Sequence, residues 1–269
     1  MASESKLPVL PVVGEALRDV LGNLGGLARI AWPYLAIAVL LILLGTFALG
    51  RRDGDLGGEI AQLGGVGLAS LVMSIATLAC AVKWQRHVVL GERLAGIAPL
   101  NGRALRYAVW SFLIGAFCLL PIAVAALVGV GTGLIAHQEN GETPFTLGTP
   151  GILLLGLGCL GSVYLYARLM LVTPAISVDQ RQLRARASWA ATSGQAMRLI
   201  AILVLFALGV GIVGFVLRLL ATPLISVLPT DGGIADAVTQ ILKSMVDLVT
   251  VAAGASVTAQ IYRRLAPPA

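Results

Sequence analysis

The sequence predicts an all-α polytopic membrane fold: six transmembrane helices in three hairpins, each preceded by a short amphipathic elbow helix. Three observations predict it. Of the 269 residues, 58% are hydrophobic and only 12% charged, with a mean hydropathy of +0.91, whereas soluble domains sit near about 45–50% apolar and about 25% charged. The apolar residues are gathered into six runs of membrane-spanning length. Basic residues are gathered between alternate runs.

A transmembrane helix needs about 20 apolar residues, because ~30 Å of hydrocarbon is crossed at ~1.5 Å per residue. The first run, WPYLAIAVLLILLGTFALG at 32–50, ends at Arg51-Arg52-Asp53. It starts late, and the arginine pair follows it directly, so it reads as a span rather than a cleaved leader. The second runs over about 63–82 and stops at Lys83. The third, 107–130, contains Pro121, which is expected to kink it. The fourth, 151–172, holds Arg168; the fifth, 199–220, carries Arg218 near its end; the sixth, 238–262, contains Lys243 and Asp247. Together they make residues 1–269 one transmembrane domain, with elbows at about 12–30, 93–106 and 180–196.

Lys and Arg asymmetry orients the chain. Fourteen of the 19 Lys and Arg residues fall in the N-terminal tail, the second-to-third loop, the fourth-to-fifth loop and the C-terminus. The opposite side holds Arg51 and Arg52, with Arg218 and Lys243 at span margins, and its 137–149 loop has no Lys or Arg. The positive-inside rule puts both termini in the cytoplasm, which requires an even number of spans. The net charge of +6 therefore points to anionic headgroups rather than nucleic acid.

A repeat supports the three-hairpin arrangement. Asn23-x-Gly25-x-x-x-Arg29 lies over Thr192-x-Gly194-x-x-x-Arg198 at an offset of 169, and Asn101-Gly102-Arg103 holds the same place before the third span. In the third elbow, Leu183, Ala187, Ala190 and Ala191 form one side, while Arg181, Arg184 and Ser188 form another. In the first, Leu17, Leu21, Leu24 and Ala28 make a similar stripe. Such helices suit the interface, with basic and aromatic side chains at headgroup depth. Arg181, Arg184, Arg186, Trp189 and Arg198 are the candidate lipid-headgroup contacts.

The segments AVKWQRHVVLGERL (81–94) and YARLMLVTPAISVDQRQLRARASWAATSGQAMRLI (166–200) carry a resemblance. A span, a proline exit, an acidic residue and an elbow ending in Gly-x-x-x-Arg follow one another through Arg168, Pro174, Asp179, Trp189, Gly194 and Arg198. In this the chain resembles uncharacterised six-helix bacterial inner-membrane proteins, and is similar to the membrane domain fused to some glycerophosphodiester phosphodiesterases. The resemblance implies a multi-pass protein of the bacterial inner membrane. It carries no counterpart of the phosphodiesterase catalytic domain.

Ionisable groups inside spans are costly, and each is a candidate for function. Asp247 lies mid-span with Lys243 one turn earlier, where an i,i+4 pair neutralises itself. Arg168 either snorkels or pairs with Asp179 or Glu92. Cys80, Cys118 and Cys159 fall in apolar runs outside any CxxC pair and read as small buried hydrophobes. His87 has no second ligand near it. Gly151, Gly156, Gly158, Gly161, Gly209, Gly211 and Gly214 allow close helix approach. No P-loop, Rossmann fingerprint, HExxH or nucleophile elbow occurs, so no catalytic residue, cofactor or metal is expected. The expected function is non-enzymatic: binding lipid, protein partners or a second copy of the chain in envelope organisation or assembly. The alternative is a transporter or channel component with a polar path near Asp247, Lys243 and Arg168.

Overall fold

The structure, a computed structural model, describes residues 7–48, 56–94, 101–137, 145–180, 185–226 and 234–266. The helices are α1 (Val9–Gly22), α2 (Leu24–Ala48), α3 (Leu56–Leu90), α4 (Gly102–Gly131), α5 (Thr149–Leu169), α6 (Val172–Ser177), α7 (Ala185–Ala191), α8 (Ala196–Ser226) and α9 (Ile234–Leu265). One antiparallel ribbon, β1 (Ile135–His137) with β2 (Phe145–Leu147), follows α4, in the register Ile135 opposite Leu147. Among the described residues, six helices are long and apolar enough to cross a membrane, and each overlaps one predicted span.

Helix boundaries follow local chemistry. Asn101 caps α4, its side chain accepting from the Ala104 N–H at 3.1 Å, which satisfies one of the orphan donors of a first turn. Gly91 ends α3 with φ +70°, its N–H donating to the His87 carbonyl at 2.9 Å; only glycine takes that left-handed cap without a Cβ clash. At ~1.5 Å per residue α3 is about 52 Å long. Helices thus run past the hydrocarbon-length runs that hydropathy marks. The predicted elbow residues 24–30 belong to α2 itself, and 102–106 are the first turns of α4; residues 95–100 of the second elbow lie outside the described residues.

Asn23 interrupts the helix between α1 and α2, and Thr192–Gln195 turn between α7 and α8. These are the two aligned positions of the repeat, and both break a helix before a long apolar one. The glycines differ: Gly194 turns with φ +75°, whereas Gly25 is helical.

Small residues decide what packs centrally. Ala252, Ala253, Ala255 and Ala259 of α9 are buried in one cluster with Ala69, Ala76, Ala79 and Cys80 of α3. Without bulky side chains between them, the two backbones approach closely. Hence α9 packs most extensively on α3 and α1, and touches its sequence neighbour α8 far less. The α9 span is 61% buried against 11% for α8. The other extensive pairs are α2 with α3 and α4 with α5.

The expectation of glycine-mediated approach holds at two positions. A Cβ on Gly158 would lie 2.9 Å from the Pro121 carbonyl oxygen of α4, and one on Gly161 would lie 3.1 Å from Pro121 Cβ. Gly156, Gly209, Gly211 and Gly214 have open space instead, because no described helix packs on them. Cys159 is likewise exposed, unlike the buried Cys80 and Cys118, since it follows Gly158 around the helix and points away from α4.

Candidate functional site

Polar groups gather at the end of the bundle where Leu7 and α1 meet the last turns of α9. Arg86, in the last turns of α3, donates from Nε to Glu92 Oε2 at 2.7 Å and from Nη2 to Glu92 Oε1. Its Nη1 donates to the Ser177 carbonyl at 2.9 Å and lies 3.9 Å from Asp179 Oδ2. Arg103, in the first turn of α4, donates to that same Asp179 oxygen. Two arginines and two carboxylates therefore latch the ends of α3, α4 and α6, the forked Arg86–Glu92 pair being the strong bidentate type.

Asp179 sits where α6 ends, with φ +60°, a conformation that Asp tolerates better than most side chains. The Gln180 N–H reaches back to the Ala175 carbonyl at 2.9 Å, the helix-ending bond that normally accompanies glycine. The chain accepts an acid there, and the acid meets Arg103. Glu92 curls back over the Gly91 turn, and its carbonyl stands 2.7 Å from His87 Nδ1.

The hydrogen bond from Arg86 holds the Glu92 carboxyl below its ordinary range, and the bond from Arg103 does the same for Asp179. Depressed carboxylate pKa values add stability that is present above the ordinary range of about 4 and lost as pH falls through the lower folded values. Hydrogen exchange in 91–94 and 177–180 is accordingly expected to accelerate as pH drops below about 4, relative to the core of α9. Asp179→Asn, which keeps the left-handed turn, is expected to exchange faster near neutral pH; indistinguishable protection there would mean that the ion pairs do not hold these segments.

Between the α3 and α4 ends lies a cavity of about 190 Å³, lined by Ala79, Val82, Lys83, Arg86, Glu92, Asn101, Arg103 and Ala104. Three cations face one carboxylate around it. Arg103 Nε is buried and has no hydrogen-bond partner.

Arg168 forms a second locus. It is 7% exposed, so it does not snorkel, and it pairs with neither Asp179 nor Glu92, which Arg103 and Arg86 already occupy. Its guanidinium lies 4.6 Å from the centroid of Trp189 and 5.8 Å from that of Tyr164, and its Nη1 is 3.4 Å from Thr192 Oγ1. Aromatic faces attract a desolvated cation. Ser188, assigned by periodicity to the outward basic side of its elbow, is instead fully buried and donates to the Arg168 carbonyl at 2.8 Å. The physical cause is the end of α5, which leaves that carbonyl without a helical partner. Trp189 is 37% exposed, one face on Arg168.

A third set ties α1 across α9. Glu15 accepts from Arg264 at 2.7 Å and Asp19 from Gln260 Nε2 at 2.8 Å. Leu7 is held at both backbone groups, its N–H by Gln195 Oε1 and its carbonyl by Arg198, each at 3.4 Å. Arg198 is thus engaged by the N-terminal segment. Deeper, Trp84 Nε1 donates to Ser256 Oγ, and Gln85 Nε2 to Thr258 Oγ1 at 3.2 Å. Sequence reasoning missed Trp84, Gln85, Ser256, Thr258 and Gln260. The available signal was Ser256, Thr258 and Gln260 at alternate positions in an otherwise small and apolar stretch.

The intramembrane candidates do not converge. Asp247 and Lys243 are both exposed on α9, and no ion pair joins them. Val257 shares an apolar cluster with Ala167 and Met170 beside Arg168; ten residues of helix set Asp247 about 15 Å farther along the axis. Arg186 is exposed, and Arg181 and Arg184 lie outside the described residues. No family model, curated protein or solved structure matches this chain.

Proposed function

We propose that this is a non-enzymatic protein of the bacterial inner membrane whose cytoplasmic face binds anionic lipid, in envelope organisation or assembly. The observation that carries the reading is how charge is used at the end of the bundle where α1 meets the last turns of α9. Each described carboxylate there is bound internally: Glu15 to Arg264, Asp19 to Gln260, Glu92 to Arg86 and Asp179 to Arg103. Arg18, Arg29, Arg93, Arg106, Arg186 and Arg263 stay exposed. The outer surface of that end is therefore strongly basic, and anionic headgroups attract such residues by about 1 kcal/mol each.

Helix α1 supports the same reading. Val12, Ala16 and Val20 are buried, whereas Leu10, Leu17 and Leu21 are 74%, 45% and 68% exposed. At 100° per residue the leucines form a separate apolar face, about a third of a turn from the buried one, with Arg18, Glu15 and Asp19 on the remaining side. A helix with one apolar face on the protein, one apolar face left for acyl chains and a charged side that bonds α9 and exposes Arg18 suits the membrane boundary. On this reading the elbows at about 12–30, 93–106 and 180–196 are cytoplasmic and enter the three hairpins α2–α3, α4–α5 and α8–α9.

Nanodiscs mixing phosphatidylglycerol with phosphatidylcholine test it. Lipid co-purified with the protein is expected to be enriched in phosphatidylglycerol, and replacing the six exposed arginines with glutamine is expected to abolish most of the enrichment. Equal recovery of both lipids by the wild-type protein would overturn the reading.

A further inference from the structure

We propose that the cavity between the ends of α3 and α4 is a discrete binding site for a phosphate-bearing group, with Lys83, Arg86 and Arg103 as its charged wall. The idea rests on the lipid-binding reading and goes beyond it, from a diffuse basic surface to one built pocket. Four features converge. The cavity, about 190 Å³, has three cations and a single carboxylate in its lining. It includes the capped start of α4, Asn101 and Ala104, and the first turn of a 30-residue helix directs N–H groups and positive potential outward.

Arg103 Nε is buried without a hydrogen-bond partner, and Nη2, on the same edge of the guanidinium, is fixed by Asp179. Arg86 is held in place by Glu92 and the Ser177 carbonyl. Both arginines are therefore positioned before any ligand arrives, which lowers the ordering cost of binding. Finally, the rest of the wall is small and apolar, from Ala79, Val82 and Ala104. That side suits the carbon atoms flanking a phosphodiester, and Glu92 and Asn101 form the exposed rim.

The group has two sources, a lipid headgroup or a dissolved phosphate. Native mass spectrometry of the protein with phosphatidylglycerol, and calorimetry with inorganic phosphate in a phosphate-free detergent, separate them. Lys83→Gln removes one wall charge, which also acts on Glu92 through space, and keeps the hydrogen bonds of Arg86 and Arg103. Ala104→Val narrows the cavity and keeps every charge, as a second variant should the first lose its fold. Binding at this site predicts at least fivefold weaker retention of one tightly held ligand in both variants. The six-arginine variant is expected to lose the diffuse lipid and keep that one.

Retention of phosphatidylglycerol lost in both cavity variants assigns a lipid headgroup; inorganic phosphate binding lost in both assigns a dissolved ligand. Phosphatidylglycerol enrichment unchanged in both cavity variants, with inorganic phosphate binding either absent or equally unchanged, would overturn the site alone, leaving the basic-surface reading intact. No lipid preference and no phosphate binding in the wild type would overturn both.

Discussion

Replacing Trp84 with alanine is expected to cost about 3–5 kcal/mol, the largest loss from any single side chain in the bundle. Trp84 is fully buried in the cluster joining α2, α3 and α9, and its indole N–H donates to Ser256 on α9. Truncation removes the packing of a whole indole between helices whose buried faces are rich in alanine. The alanines of α3 and α9 in that cluster have no longer side chain to swing into the space. The hydrogen bond is the smaller part, since interhelical bonds in membranes contribute about 1 kcal/mol. Denaturant titration of the detergent-solubilised protein, followed by circular dichroism, gives the comparison. Ser256→Ala is expected to lose about 1 kcal/mol and Trp84→Phe to fall between the two. Equal losses for Ser256→Ala and Trp84→Ala would show that the bond, not the packing, joins α3 to α9.

Gly158→Val is expected to separate α4 from α5. Its Cβ would approach the Pro121 carbonyl oxygen to 2.9 Å, Ala125 Cβ to 3.0 Å and Ile122 Cα to 3.1 Å. Two of those atoms belong to the α4 backbone, so no side-chain rotation relieves the contact. Overpacking of this kind costs about 1–3 kcal/mol. Gly211→Val, three residues from the equally open Gly214, is the control and is expected to stay within about 0.5 kcal/mol. Cysteine cross-linking between α4 and α5 at flanking positions reports the separation directly. Undiminished cross-linking in Gly158→Val would mean that the helices have another way to accommodate the methyl groups.

These results show how unevenly the sequence could be read. The six apolar runs were legible because burial in a low-dielectric solvent depends on residue type summed over about 20 positions. The repeat placed the elbows at about 12–30 and 180–196, but not the residues at which the helices break, Asn23 and Thr192–Gln195. The glycine stripe was only half legible: sequence identifies small residues, but whether a helix stands opposite them depends on the fold. Gly158 faces Pro121 and Gly211 faces open space. Ser188 illustrates a sharper limit. A serine among arginines reads as a surface residue by periodicity, yet the unpaired Arg168 carbonyl draws it inward.

By itself, then, the sequence determined which segments are long and apolar enough to leave water, and where its positive charge is concentrated. Both are sums over single residues along the chain. Only the tertiary structure decided the partners. Asp179 stands 76 residues from Arg103, Ser256 stands 172 from Trp84 and Glu15 stands 249 from Arg264. Which of 19 basic residues meets which carboxylate depends on which helix ends are brought within about 4 Å. That in turn was set by the small residues that let α9 pack against α3 rather than against the helix preceding it.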